Sequence, residues 1–101
     1  MNTDELVRHG RARFEYHAAK KLLKEKYQAK LNFVSQGGMW CAGPELITLL
    51  TGRTEVDMVL LDLYETPVRV NTPQLLKEAE QRWQEQMNAW LIEYENLSAN
   101  R

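Results

Sequence analysis

The sequence predicts an α+β fold, mainly helical: two long helices in an antiparallel pair, joined by a small β-hairpin region and one short helix. Three observations predict it. Leu76, Trp83, Trp90 and Leu97 stand seven residues apart, and Met87 and Tyr94 follow the two tryptophans by four, so two of the chain's three tryptophans share one helical stripe. Toward the other end, Ala12, Tyr16, Ala19, Leu23, Tyr27, Leu31 and Val34 succeed one another in steps of three and four. Between them, Met58–Tyr64, the turn Glu65-Thr66-Pro67 and Val68-Arg69-Val70 read as strand, turn and answering strand. With 101 residues the chain is expected to form a single domain, 1–101. Its parts are a helix over about 3–35, a centre of β-structure and short helix over 37–71, and a helix over about 72–97.

The first helix opens on Asn2 or Thr3 as cap, with Asp4 and Glu5 in the first turn where they complement the helix dipole. Gly10 weakens it by about 1 kcal/mol against alanine. Besides the stripe from Ala12 to Val34 it carries a second, Val7, Phe14, Ala18, Leu22, Ala29 and Phe33, on roughly the opposite side. Arg13, His17, Lys20, Lys21 and Lys24 fill one gap between the two. A helix with two apolar stripes needs two partners, and a chain this short has little material to cover both. The second stripe is therefore the candidate protein interface. Leu22→Glu is expected to break an assembly and leave the fold intact.

Gln36-Gly37-Gly38 reads as the end of this helix. Met39-Trp40-Cys41-Ala42 follows as a short apolar run that can be a strand, and a third strand for the hairpin. Gly43-Pro44-Glu45 opens a short helix, proline at its first position, and Gly52 stops it. Met58–Tyr64 is apolar on both faces apart from Asp62, which predicts a largely covered strand. Asn71-Thr72-Pro73 opens the last helix with a capping side chain and an early proline. The natural mate for its tryptophan stripe is the first stripe of the first helix.

Charge is uneven. Residues 1–36 hold eight Lys/Arg against four Asp/Glu, residues 37–71 two against five, and residues 72–101 three against five. A basic front and an acidic back can attract one another within a chain or between copies. The overall charge of −1 gives no general pull toward nucleic acid or acidic lipid. A single cysteine, Cys41, excludes an internal disulfide. No apolar run approaches the ~20 residues of a membrane span, and the polar N-terminus does not read as a signal peptide. A cytoplasmic setting, or a particle assembled there, is expected.

Nothing in the sequence assembles into an active site. His9 and His17 are eight residues apart, not at metal-ligand spacing. Cys41 has no cationic neighbour in sequence to make a thiolate. Gly37-Gly38 and Gly43 lack the Lys-Ser/Thr ending of a phosphate loop. No catalytic residue, metal or cofactor is expected. The basic face offers one alternative, a nucleic-acid-binding module in which Arg13, Lys20, Lys21 and Lys24 contact phosphate.

Two resemblances add to this. The order long helix, β-containing centre, long helix resembles a small prefoldin-type chaperone subunit, although the short helix at 44–50 and the tryptophan stripe depart from it. The stretch Leu61-Asp62-Leu63-Tyr64-Glu65-Thr66-Pro67-Val68, running into a capped aromatic helix, is similar in style to small structural and assembly proteins of tailed bacteriophages. Neither resemblance carries a site residue. The function expected is non-enzymatic protein–protein contact, either self-association as a homo-oligomer or a place in a larger assembly such as a phage particle.

Overall fold

The structure, a computed structural model, describes residues 3–99, and side-chain surroundings from Gly10 onward. Two 28-residue helices, α1 (Thr3–Lys30) and α3 (Thr72–Ala99), enclose a short helix α2 (Pro44–Leu50) and four short strands. The strands form two separate antiparallel hairpins, β1 (Asn32–Ser35) with β2 (Gly38–Cys41), and β3 (Asp57–Leu61) with β4 (Pro67–Asn71). The fold is α+β and mainly helical.

α1 ends earlier than the helical spacing predicts. After Lys30 the chain turns, and Leu31 accepts a hydrogen bond from the Ala42 N–H at 2.8 Å, which starts the β1–β2 ladder. Ser35 pairs with Gly38, leaving a two-residue loop in which Gln36 and Gly37 both have positive φ, 52° and 81°. Two positive φ values in a two-residue loop match the right-handed twist of a hairpin. Gln36-Gly37 is thus a hairpin turn and not a helix end. The change of period from 3.6 to 2 re-sorts the side chains: Phe33 and Ser35 turn inward, and Asn32 and Val34 outward. Phe33, expected on the outer stripe, is buried opposite Trp40, whereas Val34, expected in the core, is 71% exposed.

Met39–Cys41 therefore pairs with β1 and does not become a third strand beside β3 and β4. With only two strands and no layer over its outer face, β3 is not the covered strand expected. Met58 and Leu60 face inward, but Val59 and Leu61 are exposed, as are Leu63 and Tyr64 beyond them. The two hairpins are tied by Asp62. Its carboxylate accepts hydrogen bonds from the backbone N–H groups of Met39, Tyr64 and Thr66 at 3.2, 2.9 and 3.0 Å. The Leu63 N–H donates to the Met39 carbonyl at 2.9 Å.

The core sits where α2, both hairpins and the start of α3 meet. Leu31, Phe33, Trp40, Ala42, Leu50, Val70, Leu75 and Ala79 form it. Trp40 is the tryptophan that is buried. Its indole N–H donates to the Ser35 carbonyl at 2.8 Å, and the Ser35 hydroxyl hydrogen-bonds Glu78 on α3. α3 is capped by the Asn71 side chain, which accepts from the Gln74 N–H at 3.0 Å.

The two long helices run antiparallel, since Lys26 and Tyr27 of α1 meet Glu93 and Trp90 of α3 while Ser35, beyond α1, reaches back to Glu78. The pairing is partial. It involves the second half of α1, and every described side chain from Gly10 to Glu15 is exposed. The first half of α1 projects past the end of α3. This makes the molecule 65 Å long and 24 × 19 Å across, with a radius of gyration of 19.3 Å. A compact domain of this size has about 13 Å.

Candidate interaction site

The joint between α1 and α3 is built on Tyr27. Its ring lies nearly parallel to that of Trp90, with centroids 6.0 Å apart and an interplanar angle of 7°. Its hydroxyl donates to Glu93 Oε1 at 2.7 Å, and Lys26 Nζ donates to the same oxygen at 2.8 Å. Lys26 and Lys30 both hold their ammonium groups about 5 Å from the ring centroid, at 5.3 and 5.1 Å. The hydrogen bond from Lys26, then that from Tyr27, holds the Glu93 carboxyl below its ordinary range, and the same bonds raise Lys26 and Tyr27.

On one side of this joint a groove opens. At the α3 C-terminal end it is lined by Met87, Trp90, Leu91 and Tyr94 on α3 and by His17, Lys20, Lys21 and Lys24 on α1, enclosing about 690 Å³. Met87 and Trp90 also line the next stretch, of about 700 Å³, which runs over Gln28 and Leu31 toward Trp83, Trp40 and Cys41. There Leu46 and Leu49 of α2, with Leu61 at the end of β3 and Leu63 just beyond it, close the far end. The two stretches form one apolar trough along one face of the helix pair. It has an ammonium rim at one end, and Glu45 and Asp62 at the other. Trp40, Trp83 and Trp90 all contribute to it.

The sequence-derived residues distribute as follows. Phe14 and Leu22 are 73% and 66% exposed, and Ala18 and Ala29 are exposed with them. The side chain of Val7 lies outside the described surroundings. Phe33 leaves the stripe for the core because it belongs to β1. Lys20, Lys21 and Lys24 border the trough, and Arg13 lines a smaller cleft with Ala12, Tyr16 and His17. Trp83, Met87, Trp90 and Tyr94, read in sequence as core, are only half-buried and form the trough floor. The missed signal was one of supply. Beside these bulky residues α1 presents His17, Lys20, Lys21, Lys24 and Gln28, whose polar or charged side chains do not cover a stripe of that width.

The chemistry this arrangement can perform is the burial of apolar side chains under a cationic rim. Cys41 opens onto the trough, but burial, with the Glu45 carboxylate as a smaller cause, pushes its thiol above the ordinary value, away from the nucleophilic thiolate. His17 is exposed and packs edge-on against Tyr16 with centroids 5.7 Å apart. Among the described residues no three His, Cys, Asp or Glu side chains converge as a metal site. No helix among them is long and apolar enough to cross a membrane. No protein family matches the chain, and neither a curated protein nor a solved structure gives a significant match to it.

Proposed function

We propose that the chain is a non-enzymatic assembly protein that works by associating with further copies of itself. The observation that supports this reading is the side of α1 turned away from the core, with Phe14 73% exposed on the projecting half and Leu22 66% exposed farther along the helix. Burying a side chain of that size yields about 1.5–3 kcal/mol, and the chain's own fold does not claim it. A like copy suits the surface because the basic α1 and the acidic remainder of the chain are complementary in charge. Light scattering on the protein at tens of micromolar tests the reading. The expected mass is a multiple of 11.8 kDa, and a strict monomer overturns it.

A second reading is favoured by Trp90 and Tyr94 standing beside Lys20, Lys21 and Lys24. Cations beside stacking aromatics are how single-stranded nucleic acid is held without sequence preference. This reading predicts that a labelled oligonucleotide binds with an affinity falling steeply with salt. Binding should be lost when the three lysines become glutamate. No binding at low salt overturns it.

A further inference from the structure

β3 has an open edge, and the hydrogen-bond phase of its hairpin shows where. The Thr72 N–H donates to the Val56 carbonyl, and the Asp62 N–H to the Thr66 carbonyl. Val56 and Asp62 thus bond across the hairpin, and by alternation Met58 and Leu60 do so between them. Asp57, Val59 and Leu61 of β3, and Pro67, Arg69 and Asn71 of β4, point their backbone groups away from the hairpin.

The two outer edges differ. On β4, the Gln36 side chain takes both backbone groups of Asn71, Pro67 has no N–H, and Arg69 adds a charge. On β3, the Leu63 N–H donates to the Met39 carbonyl, so β2 closes the edge just beyond Leu61. Among the described residues nothing hydrogen-bonds the outward backbone groups of Asp57, Val59 and Leu61. The strand carries neither lysine nor proline, and Val59 and Leu61 are exposed on its solvent face. Such an edge is a template for another strand.

We infer that β3 of a second copy pairs with it, antiparallel about a two-fold axis at Val59. This rests on the self-association reading and adds a contact separate from α1. The register follows from the limits of the edge. Val59 faces Val59 of the second copy, and Asp57 faces Leu61 at either end, which uses the whole open edge and nothing beyond it. Each facing pair is of the kind that exchanges two backbone hydrogen bonds. The two Asp57 carboxylates lie at opposite ends, so no charge meets a like charge. Both open edges are satisfied at once. The guarded edges of β4 then bound the joined sheet, so this pairing stops at two copies.

Val59→Pro tests it. The Val59 N–H points off the hairpin, so proline removes a bond that only the second copy uses and spares the ladder to β4. Arg69→Pro makes the same change on the other edge and serves as control. By light scattering, Val59→Pro should weaken association about tenfold or more, a dimer falling to the 11.8 kDa monomer, and Arg69→Pro should not. A Val59→Pro protein that is folded by circular dichroism and keeps the wild-type mass, or dissociates no more than Arg69→Pro, overturns the β3 contact and leaves self-association standing. Where Val59→Pro does not fold, amide exchange on the wild type decides. The Val59 N–H should gain protection as protein concentration rises, while the Arg69 N–H exchanges fast throughout. A Val59 amide as fast as that of Arg69 at every concentration overturns the contact. A wild type that is also monomeric leaves the edge to an extended segment of another protein and overturns self-association with it.

Discussion

Gln36 and Asn71 hold each other by two hydrogen bonds between a side chain and a backbone. The Gln36 side-chain carbonyl accepts from the Asn71 N–H at 2.6 Å, and its amide donates to the Asn71 carbonyl at 3.3 Å. The tip of the first hairpin is thereby fastened to the residue whose side chain caps α3. Gln36→Ala removes both bonds and deprives the half-buried Asn71 N–H of its side-chain partner, at a cost of about 1–3 kcal/mol. Because Gln36 has φ of 52°, alanine adds backbone strain of its own. Gln36→Asn tolerates that φ but is too short to bridge, and should account for most of the loss in urea titrations.

Trp40 leaves no room beside it. A Cβ on Gly38 would stand 2.8 Å from the indole Cζ2, and the indole is 3% exposed and cannot swing aside. Gly38→Ala should therefore destabilise by about 1–3 kcal/mol through overpacking. Trp40→Ala should cost about 3–5 kcal/mol. Trp83→Ala should cost clearly less, because Trp83 is half-buried at the trough. Equal losses for Trp40→Ala and Trp83→Ala in thermal melts would contradict the placement of the core.

The Glu93 joint predicts an acid-sensitive contact between the long helices. The Glu93 carboxyl titrates below its ordinary 4.5 in the folded chain, through Lys26 first and Tyr27 second. The folded state thus binds fewer protons than the unfolded one. Its contribution is present above 4.5 and is lost as the pH falls through the lower folded value. Asp62, lowered chiefly by the Thr66 N–H, acts in the same direction. Glu93→Gln should be less stable than wild type at pH 7, with the gap closing on acidification. A gap that widens below pH 4 would reject the assignment.

Cys41 should be slow to alkylate at pH 7, since burial raises its thiol above the ordinary value. Its rate should still be climbing where a free cysteine has reached its plateau. Glu45→Gln removes the smaller cause and should move the profile slightly toward neutrality. A profile identical to that of a free thiol would show that burial does not act on it.

What could be read in the sequence was whatever one period governs throughout. The α3 stripe, its Asn71 cap, α2 between Pro44 and Gly52 and the turn before Pro67 each rest on local chemistry. The boundary at Lys30 could not be read that way, because Leu31 fits a helical spacing and a strand start equally well. Only the pairing of Phe33 with Trp40, two segments apart in sequence until the chain folds, decides in favour of the strand. The trough was hidden for a related reason. A heptad stripe declares that a face is apolar, but how much of it the neighbour covers depends on the neighbour's side chains.

The projecting half of α1 also has a thermodynamic consequence. Isolated helices shorter than about 12–15 residues are marginal in water, and Gly10 takes away about 1 kcal/mol more relative to alanine. From Thr3 to Glu15 the chain therefore has the helix–coil balance of a peptide tethered to a protein. On the self-association reading, docking supports this stretch further, so its far-ultraviolet signal should rise with protein concentration, while the signal of the core end does not.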